Sequence, residues 1–316
     1  MRYQELGKTG ISVSSIGYGC MGLTHAAGRP VERAEAVRLI RAAVDAGYTF
    51  FDTVQCYNGV YGDGALACNE DVVGEALEPV RDQAVIATKF GVQFICDGLA
   101  CDSAPSTIRE SVESSLRRLR TDHIDLYYQH RLDPRVPVEV VAETVADLIR
   151  EGKVRAWGLS MVGEDALRRA HAVCPVSAVQ NLYNLTDTHD EALFPVVEEL
   201  GITYVSACPL SKGLLSGAYS AASTFEAEDF RSHMPQFTEE GFRTYAPLIQ
   251  AVEEVARAHD ATRAQVSLAY MMDKDVRVVP IPGSRKEERI RENAGAADIG
   301  LTAEDLARLD VAAASI

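Results

Sequence analysis

Short apolar runs alternate with amphipathic segments along almost the whole chain. Runs of strand length fall at 15–20, 48–52, 84–88, 124–129, 154–159, 177–180, 202–206 and 277–281. Between them apolar residues recur at helical spacing, for example over 32–46, 70–78, 106–119, 138–151, 189–200 and 245–258. Strands separated by helix-length segments are joined by crossovers and lie parallel, and eight such repeats is the number that closes a barrel. The pattern predicts an α/β chain, a (β/α)8 TIM barrel, as a single domain over 1–316. Ahead of the first barrel strand, residues 2–14 alternate polar and apolar about Lys8-Thr9-Gly10. This predicts an N-terminal β-hairpin that plugs the barrel bottom. The stretch 211–243, after strand 7, fits no barrel strand and is too long for an ordinary connection, so it reads as a long loop with a role as lid or substrate wall. Its Phe225, Phe230, Phe237 and Phe242 either form an apolar lid or pack a small core of the loop's own.

Composition narrows the function classes. With 47% hydrophobic and 24% charged residues the chain matches globular averages and shows no disorder signature. No run resembles a signal peptide or reaches the ~18 apolar residues of a membrane helix, so a soluble, cytoplasmic protein is expected. Seven cysteines, at 20, 56, 68, 96, 101, 174 and 208, are odd in number and scattered, which argues for reduced thiols and against a disulfide framework or a metal site. The net charge of −15 repels nucleic acid and anionic membranes. A polyphosphate ligand therefore needs a local positive site. GSRKEERIR at 283–291 supplies one, with Arg285, Lys286, Arg289 and Arg291 behind a glycine turn and Ser284 at an apparent helix start.

In a barrel the chemistry sits at the C-terminal ends of the strands. Asp52, Lys89, His130, Ser160, Gln180 and Cys208 all fall at such ends, and Tyr57 follows Asp52 by five residues in FFDTVQCYNG. Singly, each has a structural explanation: Asp52 as a turn cap, Lys89 as a solvated head, His130 as a satisfied core histidine. An acid, a phenol, an amine and an imidazole converging on one barrel mouth is harder to explain as packing, because a buried lysine or aspartate is costly unless paired. The group suits protonation of a carbonyl. A free tyrosine, with a pKa of about 10, is a poor acid at neutral pH, but a lysine held cationic by Asp52 beside Tyr57 is expected to lower it. His130 is placed to orient the same carbonyl oxygen. No nucleophile is present, and a hydride carrier fits that role.

At the level of whole motifs the chain resembles the aldo-keto reductases, in the branch found largely in bacteria and plants. The motifs run nearly end to end: LGKTGISVSSIGYGCMG at 6–22, FFDTVQCY at 50–57, NEDVVGEAL at 69–77, ATKFG at 87–91, DHIDLYYQHR at 122–131, EGKVRAWGLS at 151–160, AVQNLYNL at 178–185, CPLSKGLLSG at 208–217 and VPIPGSRKEERIRENAGA at 279–296. The resemblance implies NADPH/NADP+ bound across the strand ends without a Rossmann fold, and a catalytic tetrad of Asp52, Tyr57, Lys89 and His130 with Tyr57 as general acid. It implies a cofactor site that takes in Met21 and Asp52 and holds the carboxamide with Ser160 and Gln180. Cys208, Pro209, Leu210 and Lys212 are then expected along the pyrophosphate, Gly283, Ser284, Arg285 and Arg289 at the 2′-phosphate, and Glu292 and Asn293 at the adenine. EDFRSHMPQF at 228–237 resembles reductases of small aldehydes, quinone-like carbonyls or pyridoxal.

Four positions depart from the family pattern. Met161 stands where a polar residue usually follows Ser160, Leu182 where a glutamate is common, and Ala207-Cys208 where an aromatic residue and a serine are usual. The departures alter the nicotinamide's packing face, with Tyr183 as a weaker substitute. The reading is a reversible NADPH-dependent carbonyl reductase acting on a small carbonyl compound, with no nucleic acid or membrane partner. Two alternatives remain. One is a cofactor-sensing regulatory subunit of the same fold, less expected because the barrel begins within about a dozen residues of Met1. The other is a Schiff-base lyase, which requires a Lys89 free of any acid partner.

Overall fold

The computed structural model describes every residue except Cys96, Asp97 and Asp275. Its frame is an eight-stranded sheet: β1 (Tyr18–Gly19), β2 (Phe50–Asp52), β3 (Val85–Phe90), β4 (Ile124–Gln129), β5 (Val154–Ser160), β6 (Ala178–Leu182), β7 (Thr203–Ala207) and β8 (Val278–Pro280). Strands follow one another in chain order and every neighbouring pair is parallel. The edges meet: Gly17 N–H donates to the Pro280 carbonyl at 2.9 Å and Gly19 N–H to the Pro282 carbonyl at 3.3 Å, closing the (β/α)8 barrel. Closure depends on missing side chains. A Cβ on Gly19 would lie 2.7 Å from the Ile281 carbonyl oxygen, and one on Gly283 would lie 2.5 Å from that of Gly19.

All eight apolar runs therefore form strands, for the reason the alternation suggested. Phe51, Ile86, Tyr127, Trp157, Val179 and Tyr204 face outward into one continuous core beneath the helices. Phe50, Val85, Leu126, Tyr128, Ala156, Val205 and Val279 fill the barrel interior. The hairpin pairs Tyr3–Glu5 with Ser12–Ser14, and Leu6, Ile11 and Val13 join the interior cluster, so it does plug the barrel.

Two further hairpins rise from the loops after β2 and β3, pairing Asn58–Val60 with Leu66–Cys68 and Val92–Ile95 with Gly98–Cys101. The pattern did not reveal them, since each strand is only three or four residues long and largely exposed. The loop after β7 ends earlier than expected. A helix spans Glu239–Ala258, capped by the Thr238 hydroxyl, which accepts from Gly241 N–H at 3.1 Å. Its first turns hold one large apolar side chain, Phe242, too few to show a period. The loop packs on itself: the Arg231 guanidinium lies 4.9 Å over both the Tyr219 and Phe225 rings, and Phe237 meets Phe225 edge-on at 5.1 Å. Phe225, Phe237 and Phe242 thus belong to a small core of the loop's own, while Phe230 sits under Lys212, 5.8 Å from its Nζ. The six described cysteines are unpaired; Cys96 lies outside the described residues. Among the described residues no helix is long and apolar enough to cross a membrane.

Candidate active site

The strands bring the predicted residues to one mouth. Asp52 ends β2, Lys89 is the penultimate residue of β3, His130 follows β4 directly, Ser160 ends β5, and Cys208 follows β7. Gln180 lies mid-strand in β6, in register with Ser160. Lys89 is 1% and Asp52 4% exposed. The Lys89 ammonium donates to Asp52 Oδ1 at 2.6 Å and to the Thr53 carbonyl at 3.1 Å, while Gln180 Nε2 donates to Asp52 Oδ2 at 2.8 Å. Both charges are therefore paired, the condition under which burial of each is tolerable. The free Lys89 that a Schiff-base lyase requires is not found.

Tyr57 lies within reach of the Asp52 charge, its ring edge-on to His130 with centroids 6.2 Å apart. Its carbonyl accepts from the Thr24 hydroxyl at 2.9 Å and from Asn69 N–H at 3.2 Å, and the Asn69 amide donates to Thr24 Oγ1 and to the Cys20 carbonyl. These anchors were not visible in the sequence, since Asn69 opens a helix and Thr24 sits in the turn after β1. His25 stacks on the Tyr57 ring at 5.4 Å, and Phe94, from the second hairpin, stacks on His25 at 4.8 Å. A cleft of about 640 Å³ opens between this hairpin and the helix Pro105–Leu119, lined by His25, Cys56, Phe94 and Arg118 among others and by none of Asp52, Tyr57, Lys89 and His130.

Burial sets the protonation states. It pushes the Tyr57 phenol well above its ordinary value, reinforced by the charge of Asp52 and opposed by Arg131. The expected lowering by Lys89 is not found here, since two of that ammonium's donors are turned to Asp52 and Thr53. His130 is pushed down to about 3 by burial and by the cations Lys89 and Arg131, leaving a neutral imidazole whose Nδ1 faces Cys56 Sγ at 3.9 Å. Burial holds the Cys56 thiol at about 11. The site thus presents a protonated phenol, a neutral imidazole and a compensated ammonium, the states needed to give a proton to an oxygen.

The remaining predicted positions form an arc around the mouth. Met21 lies in the turn Met21–Leu23 after β1. Cys208, Ser211, Lys212 and Gly213 have φ of 53°, 48°, 57° and 108°. Left-handed non-glycine residues cost about 1–3 kcal/mol each and persist where surroundings impose them, often at ligand clamps. Here Asn184 donates to the Cys208 carbonyl at 3.1 Å and Thr186 pairs with the Ser211 hydroxyl at 2.8 Å. Pro209 and Leu210 lie within this segment. Met161 is also left-handed, at φ 57°, and reaches solvent. Tyr183 is unavailable to the mouth: it is fully buried on the outer side and donates to Glu191 at 2.6 Å. Nothing in the structure replaces the missing ring through that residue.

In the basic segment the helix spans Glu287–Gly295 and its N-cap is Lys286, so Ser284 is not the cap; its hydroxyl accepts from Lys286 N–H at 3.1 Å instead. Arg289 is engaged with both oxygens of Glu292, at 2.8 and 2.6 Å, and Asn293 is buried. Arg285 differs. Its Nε donates to the Gly22 carbonyl at 2.5 Å, while its Nη2 is buried without a partner, so a phosphate beside Gly283–Arg285 would satisfy a donor that the protein leaves open. The donor set fits a phosphorylated dinucleotide.

Comparison with known proteins agrees. The aldo/keto reductase family profile matches residues 15–314. A probable aldo-keto reductase 1 of Glycine max is 37% identical over 305 residues, 96% of this chain and 86% of that one. Among solved structures, the glycerol dehydrogenase AKR11B4 from Gluconobacter oxydans superposes with a TM-score of 0.87 at 27% identity, covering 99% of this chain and 95% of that one. An aldo/keto reductase from Klebsiella pneumoniae in complex with NADP and acetate superposes with a TM-score of 0.70 at 27% identity, covering 95% and 91%. The chain belongs to the aldo/keto reductase family and is an NADP-dependent oxidoreductase.

Proposed function

We propose that the protein reduces a small aldehyde or ketone to the alcohol, reversibly, with Asp52, Tyr57, Lys89 and His130 as its catalytic set. The observation that carries this reading is a buried Lys89–Asp52 pair near a phenol that keeps its proton, beside an imidazole that stays neutral. NADPH, when bound, supplies hydride from nicotinamide C4 to the carbonyl carbon. Tyr57 then releases its proton to the carbonyl oxygen. An ammonium has three donors; Asp52 and Thr53 take two from Lys89, and the third is available to the phenolate that Tyr57 becomes. Neutral His130 carries one N–H with which to orient the substrate oxygen. For the cofactor we assign Met21, Asp52, Ser160 and Gln180 to the nicotinamide end. The segment Cys208, Pro209, Leu210 and Lys212 is assigned to the pyrophosphate, and Gly283, Ser284, Arg285, Arg289, Glu292 and Asn293 to the adenosine phosphate.

The test is Tyr57→Phe, assayed by NADPH oxidation with a panel of aldehydes, ketones and quinones. General acid catalysis contributes roughly 10²–10⁴-fold, so kcat should fall by that order with NADPH affinity held. Near-normal turnover would remove Tyr57 from the proton-transfer step. Wild-type protein that binds NADPH yet turns over no carbonyl would favour a cofactor sensor instead.

A further inference from the structure

Among the half-buried arginines of the described residues, pairing with carboxylates has two exceptions. Among the described residues, every other half-buried arginine contacts a carboxylate. Arg131 and Arg285 have no ion pair among the described residues, and each holds a buried Nη nitrogen with no hydrogen-bond partner there. With 46 acidic against 31 basic residues, the lack is not for want of carboxylates. Leaving part of a guanidinium buried and unpaired is costly, and such a group deserves a ligand as its explanation. Arg285 has one in the cofactor phosphate. Arg131 does not.

Its placement points to the substrate. Arg131 directly follows His130, whose N–H is held by the Phe90 carbonyl at 3.0 Å. Asp133, two residues on, is buried and already saturated. It accepts from Ser103 N–H at 3.0 Å, from Arg135 N–H at 3.0 Å and from Arg135 Nε at 2.9 Å, so it is not free to neutralise Arg131. The short segment is thereby fixed at both ends. Arg131 thus adjoins a residue of the mouth in the chain, and its charge opposes the rise of the Tyr57 phenol and adds to the depression of His130. A planar fork of donors suits a carboxylate or a phosphate.

We propose that Arg131 is the anion-recognition residue of the substrate pocket, and that the preferred substrates are aldehydes or ketones carrying a carboxylate or phosphate a short distance from the carbonyl. This rests on the carbonyl-reductase reading above and narrows its substrate class. The strong negative charge of the protein makes such a local cation necessary for an anionic substrate.

Matched pairs test it: 3- and 4-carboxybenzaldehyde against their methyl esters, and 4-formylphenyl phosphate against 4-methoxybenzaldehyde, each with NADPH. The readout is the ratio of kcat/KM for anion over neutral partner. Wild type should favour the anion by on the order of tenfold or more, the preference shrinking in high salt. The carboxylate and phosphate arms identify which anion the site takes. Arg131→Met should bring the ratio to about one, and Arg131→Glu should favour 4-(trimethylammonio)benzaldehyde instead. Turnover without anion preference in wild type overturns this proposal alone, even if neither variant folds; no turnover of any aldehyde overturns the reductase reading with it. A ratio that survives in Arg131→Met, or a variant whose only change is weaker NADPH binding, places Arg131 outside the substrate pocket.

Discussion

Substitution of Arg285 separates the two nicotinamide cofactors. The guanidinium is fixed at one end by Gly22 and open at the other, with Tyr18 Oη holding the Ser284 carbonyl at 2.6 Å beside it. A hydrogen bond from a charged donor contributes about 1.5–3 kcal/mol. Arg285→Ala should therefore weaken NADPH binding by roughly 10- to 100-fold. The Gly22 contact is lost as well, but it is missing from free and bound protein alike and enters the affinity only through local loosening. NADH, lacking the 2′-phosphate, should weaken by about fivefold at most. Arg289→Ala is predicted to act more weakly than Arg285→Ala, because Arg289 must first leave Glu292, itself held by Thr262 at 2.8 Å. Fluorescence titration of both cofactors, at low and high salt, measures the difference. Equal losses for NADPH and NADH would show that Arg285 is structural and that the phosphate lies elsewhere.

Lys89→Met should leave Asp52 buried with Gln180 as its remaining side-chain partner, and breaking a buried pair costs about 3–5 kcal/mol; urea unfolding should show that loss, and adding Asp52→Asn should recover much of it. His130, at about 3 folded and about 6.5 unfolded, is protonated on unfolding below pH 6.5. Its contribution to stability is thus complete above that pH and falls as pH drops toward 3, by roughly 2 kcal/mol at pH 5. His130→Gln should flatten the pH 5–7 slope of the unfolding midpoint, and an unchanged slope would place the titration in other groups. Ala207→Tyr should tighten NADP(H) severalfold, since an aromatic contact contributes about 0.5–1.5 kcal/mol beyond its area and Tyr183 is committed elsewhere; no change in titrated affinity would mean another group already fills that space.

The barrel was legible because its strands carry their own signature. A run buried on both faces, such as Ile124–Gln129 (IDLYYQ), is predominantly apolar over its length and needs no partner to be recognised. The grouping of Asp52, Lys89 and His130 was legible for a related reason: each sits at or next to a strand end that the alternation already located, with Tyr57 five residues beyond Asp52 in the following loop. Pairing was not. Gln180 reaches Asp52 across 128 residues of chain, and Arg289 spends itself on Glu292, three residues away, where the sequence offered a cationic cluster. Both motifs contain the right residues, but whether a charge is free or compensated depends on which strands become neighbours.

The same distinction explains why Arg131 escaped notice beside a histidine that did not. YYQHR presents two adjacent ionisable residues, and only the fold shows that Asp133, the obvious partner, is consumed by Arg135 and Ser103. The direction of the Tyr57 shift has a similar origin. In sequence, Asp52 and Lys89 are one negative and one positive neighbour; in the barrel Lys89 is turned to Asp52, burial is the largest cause of the phenol's rise, and the Asp52 charge adds to it. In the proposed reaction, a tyrosine that keeps its proton would give it up only when hydride arrival makes the carbonyl oxygen basic enough to take it, so proton transfer would be coupled to hydride transfer and not to ambient pH.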